Sequence, residues 1–313
     1  MTRVAAIDCG TNSLRLLVAD VDDVDDDRGR RLTDLHREMR VVRLGEGVDR
    51  TGELAPSAIE RTRAALEHYA GVCRDLAAER VRMVATSATR DARNRAEFVT
   101  MVRDTLGTDP EVISGDEEAA LSFDGATHGL DPARGPFLVI DIGGGSTEFV
   151  LGTRSVRAAR SVDVGCVRLT ERHLHSDPPV AAEVAAAEAD VDAGLVAVRA
   201  AVPVDQARLA VGVAGTVTTV AAHALRLPSY LADRTHLALL DAADVVTACT
   251  ELVGMARAER AALPYMHPGR VDVIGAGALV LRRLVERLAL PELLVSEADI
   301  LDGIAWSLAS PGR

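Results

Sequence analysis

The sequence predicts an α/β protein built as two related lobes. Three observations carry this. Apolar runs of strand length alternate with longer segments of helical period along the chain. A glycine-rich strand–turn–strand motif occurs twice, at the N-terminus and near the middle. A length of 313 residues suits two domains, each able to bury its own core.

In chain order, Val4 to Val18 reads as a strand, a turn and a second strand. The acidic stretch Asp20 to Gly29 lacks the glycine and terminal glutamate of a calcium loop, so a solvated hairpin tip is expected. Arg31 to Leu44 alternates as a third strand, and Gly45 to Gly52 is a loop. Ser57 to Leu76 spaces Ile59, Ala65, Leu66, Tyr69, Val72 and Leu76 as a helix, with Pro56 just before it. Val81 to Ala85 is a strand. The polar turn Thr86 to Arg90 leads into a helix that ends near Gly107, Glu111 to Ser114 is a short strand, and Gly115 opens a further helix. Beyond the central motif, Val156 to Val164 is a strand and Ala181 to Ala201 a helix. Leu209 to Thr219 is a strand entering a Gly-Thr turn at a helix N-terminus, a shape that favours anions. Asp241 is expected to cap a helix reaching Met255, an apolar helix follows Gly277, Leu293 to Ser296 is a late strand, and Ile300 to Leu308 is the final helix. Gly275 and Gly277 lack a dinucleotide fingerprint and read as a packing site. His173 and His175 have no third ligand nearby and read as a polar loop.

The central motif runs from Phe137 to Gly152. Leu138 to Ile140 form a buried strand, Asp141 stands at its end, and Thr147 to Leu151 resume as a strand. Between them Gly143, Gly144 and Gly145 allow close backbone approach to a ligand. With the Ser146 and Thr147 hydroxyls, such a turn converges donors on one small space that suits phosphate. Asp141 would repel a phosphate unless a divalent cation lay between, which points to Mg²⁺. A tight hairpin without ligand is the alternative for one such turn. The N-terminal copy aligns without a gap: Ile7 with Ile140, Asp8 with Asp141, Gly10 with Gly143 and Ser13 with Ser146. Two phosphate hairpins, one per half, imply two lobes facing each other across a cleft. The expected lobes are 1–124 with 300–313, and 125–299, with hinge crossings near Phe123 to Gly125 and Glu297 to Asp299.

Composition narrows the classes. The apolar fraction of 48% and charged fraction of 26% are ordinary for a soluble protein. A net charge of −12 argues against a general nucleic-acid or membrane-surface binder. All 35 basic residues are Arg, so a Walker-type P-loop, which needs Lys, is excluded. Cys9, Cys73, Cys166 and Cys249 are scattered and read as reduced buried thiols. The chain starts at once into a strand, without a leader pattern. The longest Ala/Val-rich segment, Ala181 to Val202, is interrupted by charges, so a cytoplasmic protein is expected.

Ile7-Asp-x-Gly-Thr-Asn-Ser13, Arg43-Leu-Gly-Glu-Gly47, Ala85-Thr-Ser-Ala-x-Arg90-x-Ala-x-Asn94, Ile113-Ser-Gly-x-Glu-Glu118-Ala, Ile140-Asp-x-Gly-Gly-Gly-Ser-Thr-Glu148, Gly212-Val-Ala-Gly-Thr216 and Val295 to Gly303 follow one another along nearly the whole chain. Together they resemble the exopolyphosphatase/guanosine pentaphosphatase (Ppx/GppA) family of the actin–Hsp70–sugar kinase, ribonuclease H-like, fold. The family's longer members carry further C-terminal helical domains, so this chain resembles the short two-domain form. The resemblance implies hydrolysis of a terminal phosphoanhydride with release of orthophosphate, using Mg²⁺ or alternatively Mn²⁺. It makes Glu118 the base that positions and deprotonates water. Asp8, Asp141 and Glu148 become metal residues. Gly10, Thr11, Asn12, Ser13, Gly143, Gly144, Gly145, Ser146 and Thr147 become phosphate binders. Arg90 would neutralise charge on the transferred phosphoryl. Without the resemblance, Glu118 could equally be a helix-start acid favoured by the helix dipole, as Asp116 and Glu117 are expected to be. Arg90 could likewise be a surface arginine, with Arg93 and Arg95 beside it.

Inorganic polyphosphate is the expected substrate, with pppGpp the alternative; an aromatic fraction of 3% offers no evident base sandwich. A sugar kinase or ATPase of the same fold would need an insert that the Gly212 to Thr216 region does not show. A non-catalytic sensor of polyphosphate or pppGpp would not need Glu118. The resemblance also makes a homodimer the assembly to test for.

Overall fold

The computed structural model describes residues 2–23 and 30–309, so most of the expected acidic hairpin tip lies outside the described residues. The chain divides into two compact units, Met1–Gly129 with Asp299–Arg313, and Leu130–Ala298. The first division falls after Gly129, not after 124, because the helix that begins at Gly115 runs unbroken to Thr127. The second falls before Asp299, which caps the returning helix.

The first unit contains β1 (Thr2–Cys9), β2 (Ser13–Asp23), β3 (Arg30–Val41), α1 (Val48–Thr51), α2 (Pro56–Asp75), β4 (Arg80–Ala85), α3 (Ser87–Asp91), α4 (Arg95–Leu106), β5 (Glu111–Val112) and α5 (Gly115–Thr127). Its five-stranded sheet has the order β3-β2-β1-β4-β5. β1 pairs antiparallel with β2 and parallel with β4. Successive β1 side chains point to opposite faces. Ala5, Ile7 and Cys9 pack with Leu66 and Tyr69 of α2 and Phe98 of α4. Val4 and Ala6 pack on the other face with Leu121 of α5 and with Ile300, Leu301 and Ile304. A strand covered on both faces reads as a continuous apolar run, which is why β1 shows no polar alternation. Pro56 stands at the start of α2, where its missing N–H costs nothing, and α4 ends on left-handed Gly107.

The second unit contains β6 (Phe137–Ile142), β7 (Thr147–Gly152), β8 (Val156–Val162), α6 (Cys166–His173), α7 (Ala181–Ala201), β9 (Leu209–Val213), α8 (Ala214–Ala224), α9 (Ala232–Thr235), β10 (Leu239–Asp241), α10 (Ala242–Gly254), α11 (Arg257–Ala261), α12 (Ile274–Leu288) and β11 (Glu292–Val295). α13 (Ile300–Ala309) then returns to the first unit. The second sheet has six strands in the order β10-β11-β9-β6-β7-β8. As in the first unit, the motif's leading strand pairs antiparallel with the next strand and parallel with a later one, here β9. The duplication read from two loops therefore extends to the surrounding sheets. One apolar cluster joins Leu138, Ile140 and Phe149 of this sheet to Val191 and Leu195 of α7, Val220 of α8, Leu252 of α10 and Leu281 of α12.

Several boundaries differ from the sequence expectation. The loop after β3 contains α1, and the polar turn after β4 is mostly α3. The third strand stops at Val41 because Val42 and Arg43 turn to bond the first glycine motif. The eight-residue α6 is too short to announce itself by period, and it places His173 at a helix end, not in a loop. Asp241 does precede α10, but its side chain makes no capping hydrogen bond. Gly275 and Gly277 lie inside α12, against Arg260 and Thr216, and do serve packing.

Candidate functional site

In the first unit β1 delivers Asp8 to the edge of the turn Gly10 to Asn12, and Gly10 N–H donates to the Ser13 carbonyl at 3.0 Å. The Arg43 to Gly47 motif holds this turn from outside. The Asn12 carbonyl accepts from Val42 N–H at 3.0 Å and Arg43 N–H at 2.8 Å, and the Thr11 carbonyl accepts from Gly45 N–H at 2.8 Å. A Cβ at position 45 would come within 2.3 Å of the Thr11 methyl, so only glycine lets the two segments approach this closely.

Asp8 is buried, and one carboxylate oxygen, Oδ2, takes both the Nε (3.0 Å) and the Nη2 (2.7 Å) of Arg15. The other, Oδ1, is buried and has no hydrogen-bond partner. Burial pushes the Asp8 carboxyl above its ordinary range even though the Arg15 charge and hydrogen bonds pull it down. Arg15 reaches on to Asp299 at the start of α13. Sequence reading missed Arg15 and Asp299, since the bond joins residues far apart in the chain. The position of Arg15 on β2, cross-strand from Asp8, was the one available signal.

Glu118 lies in the first turn of α5, whose start is capped by Ser114 accepting from Glu117 N–H at 3.2 Å. Asp116 and Glu117 are exposed whereas Glu118 is buried. Glu117 is turned outward to Arg82 at 2.9 Å. The helix-start explanation thus fits the first two acids, and Glu118 stands apart. Its Oε2 accepts from Arg90 Nη1 at 3.0 Å, and the same Nη1 donates to the Ile113 carbonyl at 2.9 Å. Arg90 is therefore an anchored, largely buried arginine, while Arg93 is an exposed one bonded to Glu53 and to Thr51. In this arrangement Arg90 orients the Glu118 carboxylate, a function the sequence did not indicate.

In the second unit Gly143 N–H donates to the Ser146 carbonyl at 3.0 Å, the same bond as in the first turn. The start of α6 holds this turn. The Gly143 carbonyl accepts from Cys166 N–H at 3.0 Å, the Gly144 carbonyl from Val167 N–H at 2.8 Å and Arg168 N–H at 3.1 Å, and the Gly145 carbonyl from Arg168 Nε at 2.7 Å. Asp141 and Glu148 are cross-strand partners and both are buried. Glu148 Oε1 accepts from the Ser161 hydroxyl at 2.7 Å. Ser146 is buried in the turn. Thr147 departs from expectation. Its hydroxyl donates to the Val164 carbonyl at 2.6 Å, so it ties β7 to the strand end and does not supply its hydrogen to a phosphate. At the start of α8 the Arg270 guanidinium lies over Gly215, bonding its carbonyl and, at 3.0 Å, the Thr219 hydroxyl. Nothing in the residue pattern pointed to Arg270 there.

The remaining candidates resolve simply. His173 bonds Asp190 at 2.8 Å, and His175 uses its backbone N–H on Glu183. Cys9, Cys73, Cys166 and Cys249 are free and buried. Among the described residues no group of three or more His, Cys, Asp or Glu is arranged to hold a metal. No helix of the described residues is long and apolar enough to cross a membrane. An ion held by one or two carboxylates together with substrate phosphates is the habit of Mg²⁺. The unpartnered, buried Asp8 Oδ1 is the kind of atom such an ion would satisfy, so the residues present fit it.

Comparison with known proteins gives three findings. The family described as the Ppx/GppA phosphatase family matches residues 17–310. Exopolyphosphatase 2 of Mycobacterium tuberculosis is 55% identical over 318 residues, covering 99% of each chain, and a guanosine-5'-triphosphate,3'-diphosphate pyrophosphatase of Vibrio cholerae is 37% identical over 171 residues, 54% of this chain and 33% of its own. The solved structure of the Aquifex aeolicus PPX-GPPA enzyme superposes with a TM-score of 0.80 at 31% identity, covering 98% of this chain and 99% of that one.

Proposed function

Because the chain belongs to the Ppx/GppA phosphatase family, we propose that it hydrolyses the terminal phosphoanhydride of inorganic polyphosphate and releases orthophosphate. The observation that carries this is the full-length relation to an exopolyphosphatase; the pyrophosphatase relative matches only about half of the chain. That shorter match supports pppGpp as the second substrate to test.

In the proposed reaction Glu118 takes the proton of the attacking water. The water oxygen forms a bond to the terminal phosphorus, and the bridging P–O bond breaks with its electrons going to the shortened chain. Arg90 keeps Glu118 in place by bonding it and the Ile113 carbonyl together. The two turns would bind phosphate oxygens through backbone N–H groups and, in the second turn, the Ser146 hydroxyl. Asp8, Asp141 and Glu148 are the residues that would hold Mg²⁺, or Mn²⁺ in its place. Bound there, the ion would screen the phosphate charge and polarise the phosphoryl oxygens. A sensor without turnover would have no use for a buried carboxylate anchored as Glu118 is.

Phosphate release from polyphosphate, pppGpp and ATP, measured side by side with and without Mg²⁺, tests the substrate. Polyphosphate should be the best of the three; pppGpp exceeding it in kcat/KM would reverse the assignment. Glu118→Gln should lower turnover by about 10²–10⁴-fold, the usual contribution of a general base, while binding holds or tightens. Loss of binding together with rate, or greater damage from Glu117→Gln, would remove Glu118 from the role of base.

A further inference from the structure

Thr11 is fixed on several sides. Its carbonyl is bonded by Gly45 N–H at 2.8 Å, and its methyl is seated in the space left by the absent Cβ of Gly45, close to Ala88. Its hydroxyl meets the hydroxyl of Ser87 at 2.8 Å. Both residues are buried, Thr11 at 7% and Ser87 at 3% exposure. Two hydroxyls carry two hydrogens, and the bond between them uses one. The other is left in a place that water scarcely reaches, where an unmade hydrogen bond is costly. Three residues earlier in the same motif, Asp8 Oδ1 is a buried acceptor with no partner. One end of β1 thus offers a surplus donor and a surplus acceptor. A cation with a phosphate would satisfy both.

We infer that Ser87 donates to Thr11 Oγ1 and so turns the Thr11 hydrogen toward a phosphate oxygen bound at the Gly10 to Ser13 turn. The direction follows from exposure and from position. Thr11 is the more open of the two and belongs to the turn itself, whereas Ser87 lies behind it at the start of α3. A hydroxyl that accepts a hydrogen bond also becomes a better donor, which strengthens the outer bond. Thr11 is then a binding residue, and Ser87 a positioning residue that acts only through it. This rests on the proposed polyphosphate reading of the turn.

The test uses Glu118→Gln as the parent, so that polyphosphate binding can be titrated calorimetrically in Mg²⁺ without turnover. Thr11→Val, which keeps the shape and removes the hydroxyl, should weaken binding about threefold to tenfold, the worth of one hydrogen bond. Ser87→Ala should weaken it by the same amount or less. In the Thr11→Val background, Ser87→Ala should add nothing, because its route to the ligand is already cut. Thr11→Ser should retain affinity. In the active protein the same changes should appear in KM with kcat little altered. Unchanged affinity for Ser87→Ala, or a double variant that loses the product of both single effects, overturns the inference, as does a larger loss for Ser87→Ala than for Thr11→Val. A parent that binds no polyphosphate at all would instead sink the substrate reading.

Discussion

Replacing Gly303 by Ala tests whether α13 positions the helix that carries Glu118. α5 and α13 cross with glycine on each side. A Cβ at position 303 would stand 1.9 Å from the Leu121 carbonyl oxygen and 2.7 Å from its carbon, and one at 125 would stand 1.8 Å from the Asp299 carbonyl oxygen. The obstructing atoms are backbone and cannot rotate away. Restoring an ordinary contact of 3.4 Å from 1.9 Å requires the helices to part by about 1.5 Å. Overpacking of this kind costs ~1–3 kcal/mol. Ala gains ~1 kcal/mol over Gly in a helix interior, so a net loss of about 2 kcal/mol needs the upper part of that range, as a backbone clash warrants. At ~2–4 °C per kcal/mol for a domain of this size, Tm should fall by about 4–8 °C. Moving a catalytic group by about 1 Å can cost ~10²-fold in rate, so kcat should fall with it. Gly71→Ala is the control. Gly71 is inside α2, with only the Arg74 guanidinium at 4.0 Å, and the change should be neutral or stabilising by up to ~1 kcal/mol. Calorimetric melting and steady-state phosphate release on the three proteins decide the matter. Equal Tm and kcat for Gly303→Ala and the unaltered protein would refute the argument.

Two further predictions concern charge. Asp141→Asn should abolish most Mg²⁺-dependent turnover and weaken Mg²⁺ binding in titration while Tm is kept, because volume is conserved and charge is lost; full Mg²⁺-dependent turnover would contradict the metal assignment. Burial pushes the Glu38 carboxyl up, but hydrogen bonds from Arg40, His36 and His68 outweigh it and bring the group from 4.5 down to about 2. A carboxyl depressed by folding contributes stability above its unfolded pKa and loses that contribution as pH falls through the folded value. The melting temperature of the unaltered protein should therefore drop relative to that of Glu38→Gln between about pH 4.5 and 2; parallel curves would show that the cluster contributes nothing.

The glycine motifs were legible because their geometry is local. A pattern repeated without a gap, Ile7 to Ser13 and Ile140 to Ser146, predicts one turn twice, and the Gly10–Ser13 and Gly143–Ser146 bonds are both 3.0 Å. What holds each turn was not legible. The first is clasped by residues 42–45 through backbone N–H groups, and the second by the start of α6 through backbone N–H groups and the Arg168 side chain, pairings that only the folded chain brings together. The Thr147 hydroxyl was read as a phosphate donor from its place in the motif. Its actual partner, the Val164 carbonyl, depends on where β8 ends. Apart from the family resemblance, what tells Glu118 from Asp116 and Glu117 is burial, and burial follows from the packing of α5 against β1 and α13. The Asp8–Arg15–Asp299 chain needed the return of α13, hundreds of residues later.

The duplication is also where the two units part company. Seven residues after Asp8 the first copy has Arg15, and seven after Asp141 the second has Glu148; each is the direct cross-strand partner of its aspartate. Directly opposed side chains share one face of the sheet with Cβ atoms ~5 Å apart, so their charges act on each other strongly. In the first copy the arginine takes one oxygen of Asp8 and leaves the other without partner. In the second, two buried carboxylates stand side by side, with Ser161 donating to one of them. Two like charges so placed favour a bound cation, whereas an aspartate already paired with arginine adds at most one ligand. If the proposed ion is held in this way, Glu148→Gln should weaken Mg²⁺ binding more than Asp8→Asn does. The reverse order in a Mg²⁺ titration would mean that the arginine-paired copy, not the acidic one, dominates the site.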